Sequence, residues 1–261
     1  MTDAHCHVSC GDSSVRELLI GRDFFGIHPW ETLDDGTTGT DGTRRVLVSD
    51  VPVVPDVPFL AARLPSLRSK LLANPNAGVG EIGLDRLKVR DIPPLMREVF
   101  GAQLLSLAVE LGRPVVLHGA KCWGQVVTTV KRMIGGGLAT HGAQQAFLFH
   151  GFSRSDGLIP EIVKLNGFIS VGPAVLNDHA VNYRELVKKI PLDRLLVETD
   201  AVAEARVPTR PHETDAMVGA RVPTRPHIRD VLAKTAEILN LSMAELERIT
   251  DENADRFFGV V

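Results

Sequence analysis

Four apolar runs in this 261-residue chain are broken or closed by an ionisable side chain. Glu81 interrupts VGEIGLD, His118 ends PVVLH, His150 ends AFLFH and Asp200 ends RLLVETD. Burying one such group without a partner costs several kcal/mol, so four of them at the ends of separate runs call for a common partner. Longer amphipathic stretches lie between the runs, the alternation that builds parallel strands with crossover helices. Strands are predicted at Asp3–Val8, Phe24–His28, Ala77–Leu84, Pro114–His118, Ala146–His150, Gly167–Val171 and Arg194–Thr199. Helices are predicted at Leu60–Leu72 and Pro94–Leu111, with a third opened by the Ser242/Glu245 capping box and a short fourth around Asn253–Phe258. The fold class is α/β, a TIM-type (β/α) barrel formed by residues 1–261 as a single domain.

Composition sets the bounds. Hydrophobic residues are 44% of the chain and charged residues 23%, enough for a core and unlike a disordered polymer. The net charge of -3 supplies no broad basic face of the kind that non-specific DNA binders use. No apolar run approaches the roughly 20 residues of a membrane span. The start of the chain lacks the basic and apolar segments of a secretion signal. Cys6, Cys10 and Cys122 are few and odd in number, which fits reduced thiols. The expected location is therefore the cytosol or the nucleus, with no membrane partner.

His5 and His7 lie two apart in a predicted strand, so both imidazoles share one face, as a metal pair requires. In barrels of this type the C-terminal strand ends converge on the active site. Four histidines and two acids would then surround one point. A metal explains that crowd best, because the same groups without a cation would repel or shift one another's protonation. Nucleophilic catalysis is the weaker reading: Ser153 follows His150 but no Gly-x-Ser-x-Gly elbow is present, and Cys122 has no evident base. Two divalent ions about 4 Å apart, bridged by a carboxylate such as Glu81, would activate a water for attack. That chemistry is hydrolysis.

The ordered set DAHCH, GIHPW, GEIGLD, VVLHG, HGFS and LLVETD, closed by ENADRFFG, resembles the TatD family of metal-dependent deoxyribonucleases within the amidohydrolase-type barrels. The resemblance covers nearly the whole chain. It implies that His5, His7, Glu81, His118, His150 and Asp200 are metal ligands. Glu81 would bridge, and Asp200 would also orient or deprotonate the water. His28 would face the same opening as a catalytic residue that contacts phosphate, while Asp3 would hold an imidazole in the right tautomer. The implied cofactors are two divalent ions, magnesium or manganese, with zinc also compatible with the imidazoles. DNA is the implied substrate; no protein partner is implied. An amide or ester hydrolase on the same barrel is the alternative enzyme. The alternative outside enzymology is a degenerate member that serves as a protein-binding module, and metal content would separate it.

The chain departs from the family pattern in places. Only 20 residues separate His7 from His28, so one βα unit is expected to be missing. The barrel would then close with seven strands, recruit Arg44–Val48, or keep a gap. Ala120 stands where the family has a basic residue, with Lys121 adjacent, and Arg154 stands where a Gly is common. Lys121 and Ser153 join His28 as candidate substrate contacts. Trp30 is read as a cover for the barrel mouth, Cys6 as packing beneath the helices, and His141, His179, His212 and His227 as surface groups.

Two segments read as loops. A flexible loop is expected at 31–45, around the Gly/Thr/Asp stretch Asp34–Arg44. The second, at 198–227, is a tandem duplication: ETDAVAEARVPTRPH (Glu198–His212) is followed by ETDAMVGARVPTRPH (Glu213–His227). Asp215 repeats the ETD without the preceding LLV, which assigns the ligand to Asp200. The plain reading of this loop is solvated surface; the functional one gives Arg206 and Arg210 to the DNA backbone. On the functional reading, changing both arginines to Ala weakens DNA binding and flattens its dependence on salt. An unchanged salt slope in a binding titration would dispose of that role.

Overall fold

The computed structural model describes residues 1–33, 57–135, 145–201 and 226–259. Eight strands occur among them: β1 (Thr2–Cys6), β2 (Arg16–Leu19), β3 (Phe24–Phe25), β4 (Gly78–Asp85), β5 (Val115–Ala120), β6 (Phe147–Phe149), β7 (Gly167–Val171) and β8 (Leu195–Val197). The strands β3 to β8 pair in sequence order as one sheet, and β1 pairs with β2, all in parallel. Main-chain contacts join the two sheets. Ile20 bridges to Phe24 on one side. On the other, Asp200 N donates to His5 O at 3.0 Å and His7 N to Ala201 O at 2.9 Å. The result is a TIM-type barrel.

The missing unit is helical rather than a strand. β2 occupies the short His7–His28 interval, where a seven-strand closure was one expectation, and residues 7–28 contain no helix. Parallel neighbours ordinarily need a crossover of a dozen or more residues. Here a tight turn over residues 20–23 replaces it. Asp23 N donates to Leu19 O at 2.8 Å while the Asp23 carboxylate accepts from Leu19 N at 2.8 Å, and Gly21 supplies a φ of +88°. Arg44–Val48, the other candidate for completing the ring, lies outside the described residues.

The helices are α1 (Val57–Ala73), α2 (Pro94–Gln103), α3 (Trp123–Gly135), α4 (Ile159–Lys164), α5 (Val181–Val187), α6 (Ile228–Leu239) and α7 (Met243–Phe258). The predicted helix at Pro94–Leu111 divides into α2 and a π-helical turn, Leu104–Val109. Ser242 caps α7, which runs without a break through Asn253–Phe258, so the expected separate short helix is the last part of α7. Nothing between Ser242 and Gly259 breaks a helix; Gly259, with φ +70°, ends it. The 3-10 helix Pro29–Leu33 takes in the start of the loop expected at 31–45. None of the described helices is long and apolar enough to cross a membrane.

Period-two alternation sorts the core. Ala4, Leu18, Val116, Leu148, Phe168 and Leu196 pack together with Phe257 of α7, whereas Val115, Leu117, Phe147, Phe149, Leu195 and Val197 belong to the cluster shared with the surrounding helices. Phe257 stacks on Phe24 with centroids 6.0 Å apart. α7 also holds β1 and β2 through the Met1 amino group on Glu247 at 3.0 Å and Arg16 on Asp255 at 2.5 Å. The C-terminal helix thus braces strands that have no crossover helix of their own.

Gln103, fully buried at the end of α2, accepts from Ile27 N at 2.6 Å and donates to Ile27 O at 3.1 Å. This pair fixes the backbone immediately before His28. Replacing Gln103 with Leu leaves both Ile27 groups unpaired in the core and should cost about 2–4 kcal/mol. Urea unfolding checks this; a change below about 1 kcal/mol would show that Ile27 finds other partners.

Candidate metal centre

Alternation continues past the apolar layer into a polar one. Two residues beyond Val116 and Leu148 stand His118 and His150. Pairing shifts register between Val79 and Ile82 in β4 and between Asp3 and Cys6 in β1, and such irregularities re-aim a side chain. Glu81 and His5 lie within them. Gly83, with φ +151°, lets β4 press against β5: a Cβ there would meet the His118 carbonyl oxygen at 2.0 Å. Asp200 follows β8 at φ +47°, with its amide tied to β1 as described.

All six expected ligands meet, and Glu81 organises them. Its Oε2 faces Nε2 of His7 at 3.3 Å and of His5 at 3.7 Å. Its Oε1 faces Nδ1 of His118 at 2.5 Å and Nε2 of His150 at 2.6 Å. Asp200 Oδ1 closes the first group, 3.5 Å from His5 Nε2 and 3.7 Å from His7 Nε2. Donors bound about 2.1 Å from one cation stand roughly 3–3.5 Å apart, so the Oε2 group already has nearly that spacing. The Oε1 group sits at hydrogen-bond spacing. His5 is fully buried, and neither ring nitrogen has a hydrogen-bond partner among the described residues. A buried imidazole of that kind beside two carboxylates, in a donor set of nitrogen and oxygen, fits a divalent ion.

His28 stands at the edge of the cluster, in a group with Glu81 and His118. Its Nδ1 accepts from Trp30 N at 3.1 Å, which leaves the proton of the neutral ring on Nε2, 3.6 Å from Glu81 Oε1. It is therefore a donor at the edge of the site.

Charge is balanced inside this cluster. Burial acts to raise the Glu81 carboxyl, but His150 and His118 outweigh it and hold the group well below the usual carboxylate range. Burial likewise opposes the charged form of both imidazoles. Glu81 and Asp85 nonetheless raise His118, and Glu81 and Glu198 raise His150 well above an ordinary histidine. Asp200 is lowered, with burial overcome by His5 and His150.

Two supporting acids were not among the expected site residues. Asp85, at the end of β4, accepts from His118 Nε2 at 2.8 Å and from Trp30 Nε1 at 2.6 Å. Glu198 accepts from Gly151 N at 2.7 Å and Ser170 Oγ at 2.5 Å, with His150 Nδ1 3.8 Å away. The signal was available: Asp85 closes GEIGLD, and Glu198 is two residues beyond inward-facing Leu196. Asp3 does not hold an imidazole. It accepts from Thr199 N at 3.0 Å and Thr199 Oγ1 at 2.6 Å, and burial pushes its pKa up to about 7.

Ser153 is half-buried and Lys121 exposed after β5, while Arg206 and Arg210 lie outside the described residues, as do Asp215, His141 and His212. Trp30 is 41% exposed beside His28, with the Lys88 ammonium over its ring. His227, expected at the surface, caps α6 by accepting from Arg229 N. Cys6 is buried, with its thiol 3.8 Å from Leu18 O.

A barrel that gathers histidines and carboxylates at the strand ends defines a class, the metal-dependent hydrolases of the TIM-barrel type. Residues 21–259 match the family model for TatD related DNases, and the chain belongs to that family. Over 182 residues it is 31% identical to the metal-dependent hydrolase YabD of Bacillus subtilis, covering 70% of this chain and 65% of that protein. It is 28% identical over 210 residues to a 3'-5' ssDNA/RNA exonuclease TatD of Klebsiella pneumoniae, covering 80% of this chain and 72% of the relative. The crystal structure of the TatD homolog YjjV from Escherichia coli matches the fold with a TM-score of 0.63 at 21% identity, over 96% of this chain and 79% of the other.

The raised imidazoles carry a consequence for metal binding. Against the pull of burial, Glu81 makes His118 and His150 hold their protons more tightly than an ordinary histidine in the protein free of cations, and a cation needs the bare nitrogens. Loading with Mn²⁺ at pH 7 should release protons, and apparent affinity should fall as pH drops. Calorimetry in two buffers of different ionisation enthalpy measures the release; a net count of zero would contradict it.

Proposed function

We propose that the protein hydrolyses phosphodiester bonds in DNA, or in nucleic acid more broadly, at a site holding two divalent cations. Magnesium or manganese is the expected metal, and the imidazoles also admit zinc. The observation that carries this reading is the division of Glu81: Oε2 faces His5 and His7, while Oε1 faces His118 and His150, with His28 at the edge 3.6 Å away. His5, His7 and Asp200 would hold one ion with Oε2, and His118 and His150 the other with Oε1. When bound, such a pair polarises a phosphoryl oxygen and lowers the pKa of a bound water.

The chain's own groups supply the rest. Asp200, half-exposed and kept ionised by its neighbours, is placed to accept the proton of the attacking water. The Nε2–H of His28 points toward the Oε1 group and can donate to a phosphate oxygen. Basic side chains follow the same strand ends: Arg86, Lys88 and Arg90 after β4, and Lys121 after β5, where Arg86 N bonds to Ala120 O at 2.9 Å. This local positive charge suits an anionic backbone on a protein whose net charge is -3. The Klebsiella relative is named a 3'-5' exonuclease of single-stranded DNA and RNA, which agrees with a single-stranded substrate. The few cysteines favour action in the cytosol or nucleus.

The test is hydrolysis of end-labelled single-stranded DNA in Mn²⁺ against a chelated control. Chelation should abolish it, and Glu81→Ala should lower kcat on the order of a thousandfold or more, about 4 kcal/mol of barrier. Cleavage that ignores both would overturn the proposal. Turnover of amides without phosphodiesters would favour the other hydrolase, and a protein that is metal-free and inactive would favour a binding module.

A further inference from the structure

The two ends of the site are built differently. Behind the Oε1 group stand two fully buried carboxylates. Asp85 has both oxygens committed: Oδ2 to His118 Nε2 and the Trp30 indole, Oδ1 to Leu87 N at 2.5 Å. It cannot swing in to become a ligand. With a cation bound, it would keep the remaining His118 proton on Nε2 and leave Nδ1 to the metal. Glu198 is held as firmly by Gly151 and Ser170, and its carboxylate stands 3.8 Å behind His150 Nδ1, which has no hydrogen-bond partner among the described residues and would reach Glu198 through a small shift.

Nothing equivalent stands behind the Oε2 group among the described residues. The nearby buried acid, Asp3, is spent on Thr199 and the His5 amide. Both His5 ring nitrogens lack a hydrogen-bond partner among the described residues, and no carboxylate stands behind its Nδ1 as Glu198 stands behind that of His150. His7 is 26% exposed and Asp200 47% exposed, so water reaches this end.

We infer that Asp85 and Glu198 are positioning residues for one cation alone, the ion between Glu81 Oε1, His118 and His150. The inference rests on the two-cation reading above. A carboxylate behind a ligating imidazole raises its basicity and fixes its orientation, and losing one typically costs 10–100-fold in metal affinity. Among the described residues, the Oε2 end has no such support to lose. The two affinities are therefore separately adjustable, although both ions share Glu81.

Titration of the whole protein with Mn²⁺, with free ion read by electron paramagnetic resonance, needs no catalysis. The parent should show two binding steps. Asp85→Asn and Glu198→Gln should each weaken the same step, by about 10–100-fold, and leave the other within about threefold. His7→Ala should weaken the opposite step. Trp30→Phe removes only the indole donor from Asp85 at a partly exposed position, and should shift the Asp85-sensitive step severalfold even if a buried substitution fails to fold. Equal weakening of both steps in Asp85→Asn and Trp30→Phe, or no change in either, overturns the inference while the two-cation reading stands. A parent that binds fewer than two ions overturns that reading, and the inference with it.

Discussion

A carboxylate buried at the centre of a barrel is tolerable only if positive charge surrounds it. Glu81 is 3% exposed, and the imidazoles of His118 and His150 touch one of its oxygens while those of His5 and His7 face the other. Much of the structure serves that meeting. The irregular register of β4 aims the acid inward, Gly83 brings β5 close, and main-chain bonds from residues 200 and 201 carry Asp200 to β1. Asp85 and Glu198 stand one layer further out, the first bonded to His118 and the second 3.8 Å behind His150.

The same demand explains how the barrel tolerates its shortened start. Losing the helices between His7 and His28 removes cover from β1 and β2, yet these strands must stay because β1 carries two of the imidazoles. They are retained by other means. Asp23 stitches a turn in place of a crossover, and α7 supplies Glu247, Asp251 and Asp255 as partners for Met1 and Arg16. Phe257 fills the barrel interior from below. The strand order of a TIM-type barrel therefore survives with part of its outer layer absent.

Four site residues are legible because each interrupts or closes an apolar run, and His5 and His7 because they lie two apart in a predicted strand; both signals are local. His28 was legible only through its motif; its distinction from the ligands came from a hydrogen bond at Nδ1. Asp85 and Glu198 carry the same kind of signal, but each shares its motif with a second acid, Glu81 in GEIGLD and Asp200 in ETD, and only the fold separates the two. Asp3 was read as the partner of an imidazole, but the extension of β8 places Thr199 against its oxygens first. α6 has no separate start signal in the sequence, because its cap, His227, ends the second repeat.

The amino-acid order alone determined the alternation of strand and helix, the inward face of each strand and the identity of the groups at its end, because these follow from spacing over a few residues. Tertiary structure alone decided which oxygen of Glu81 faces which imidazole, that β2 completes the ring, and which acids stand behind His118 and His150. Those relations join residues up to two hundred positions apart. They depend on the register between strands, which two local irregularities in pairing reset and no periodicity in the sequence records.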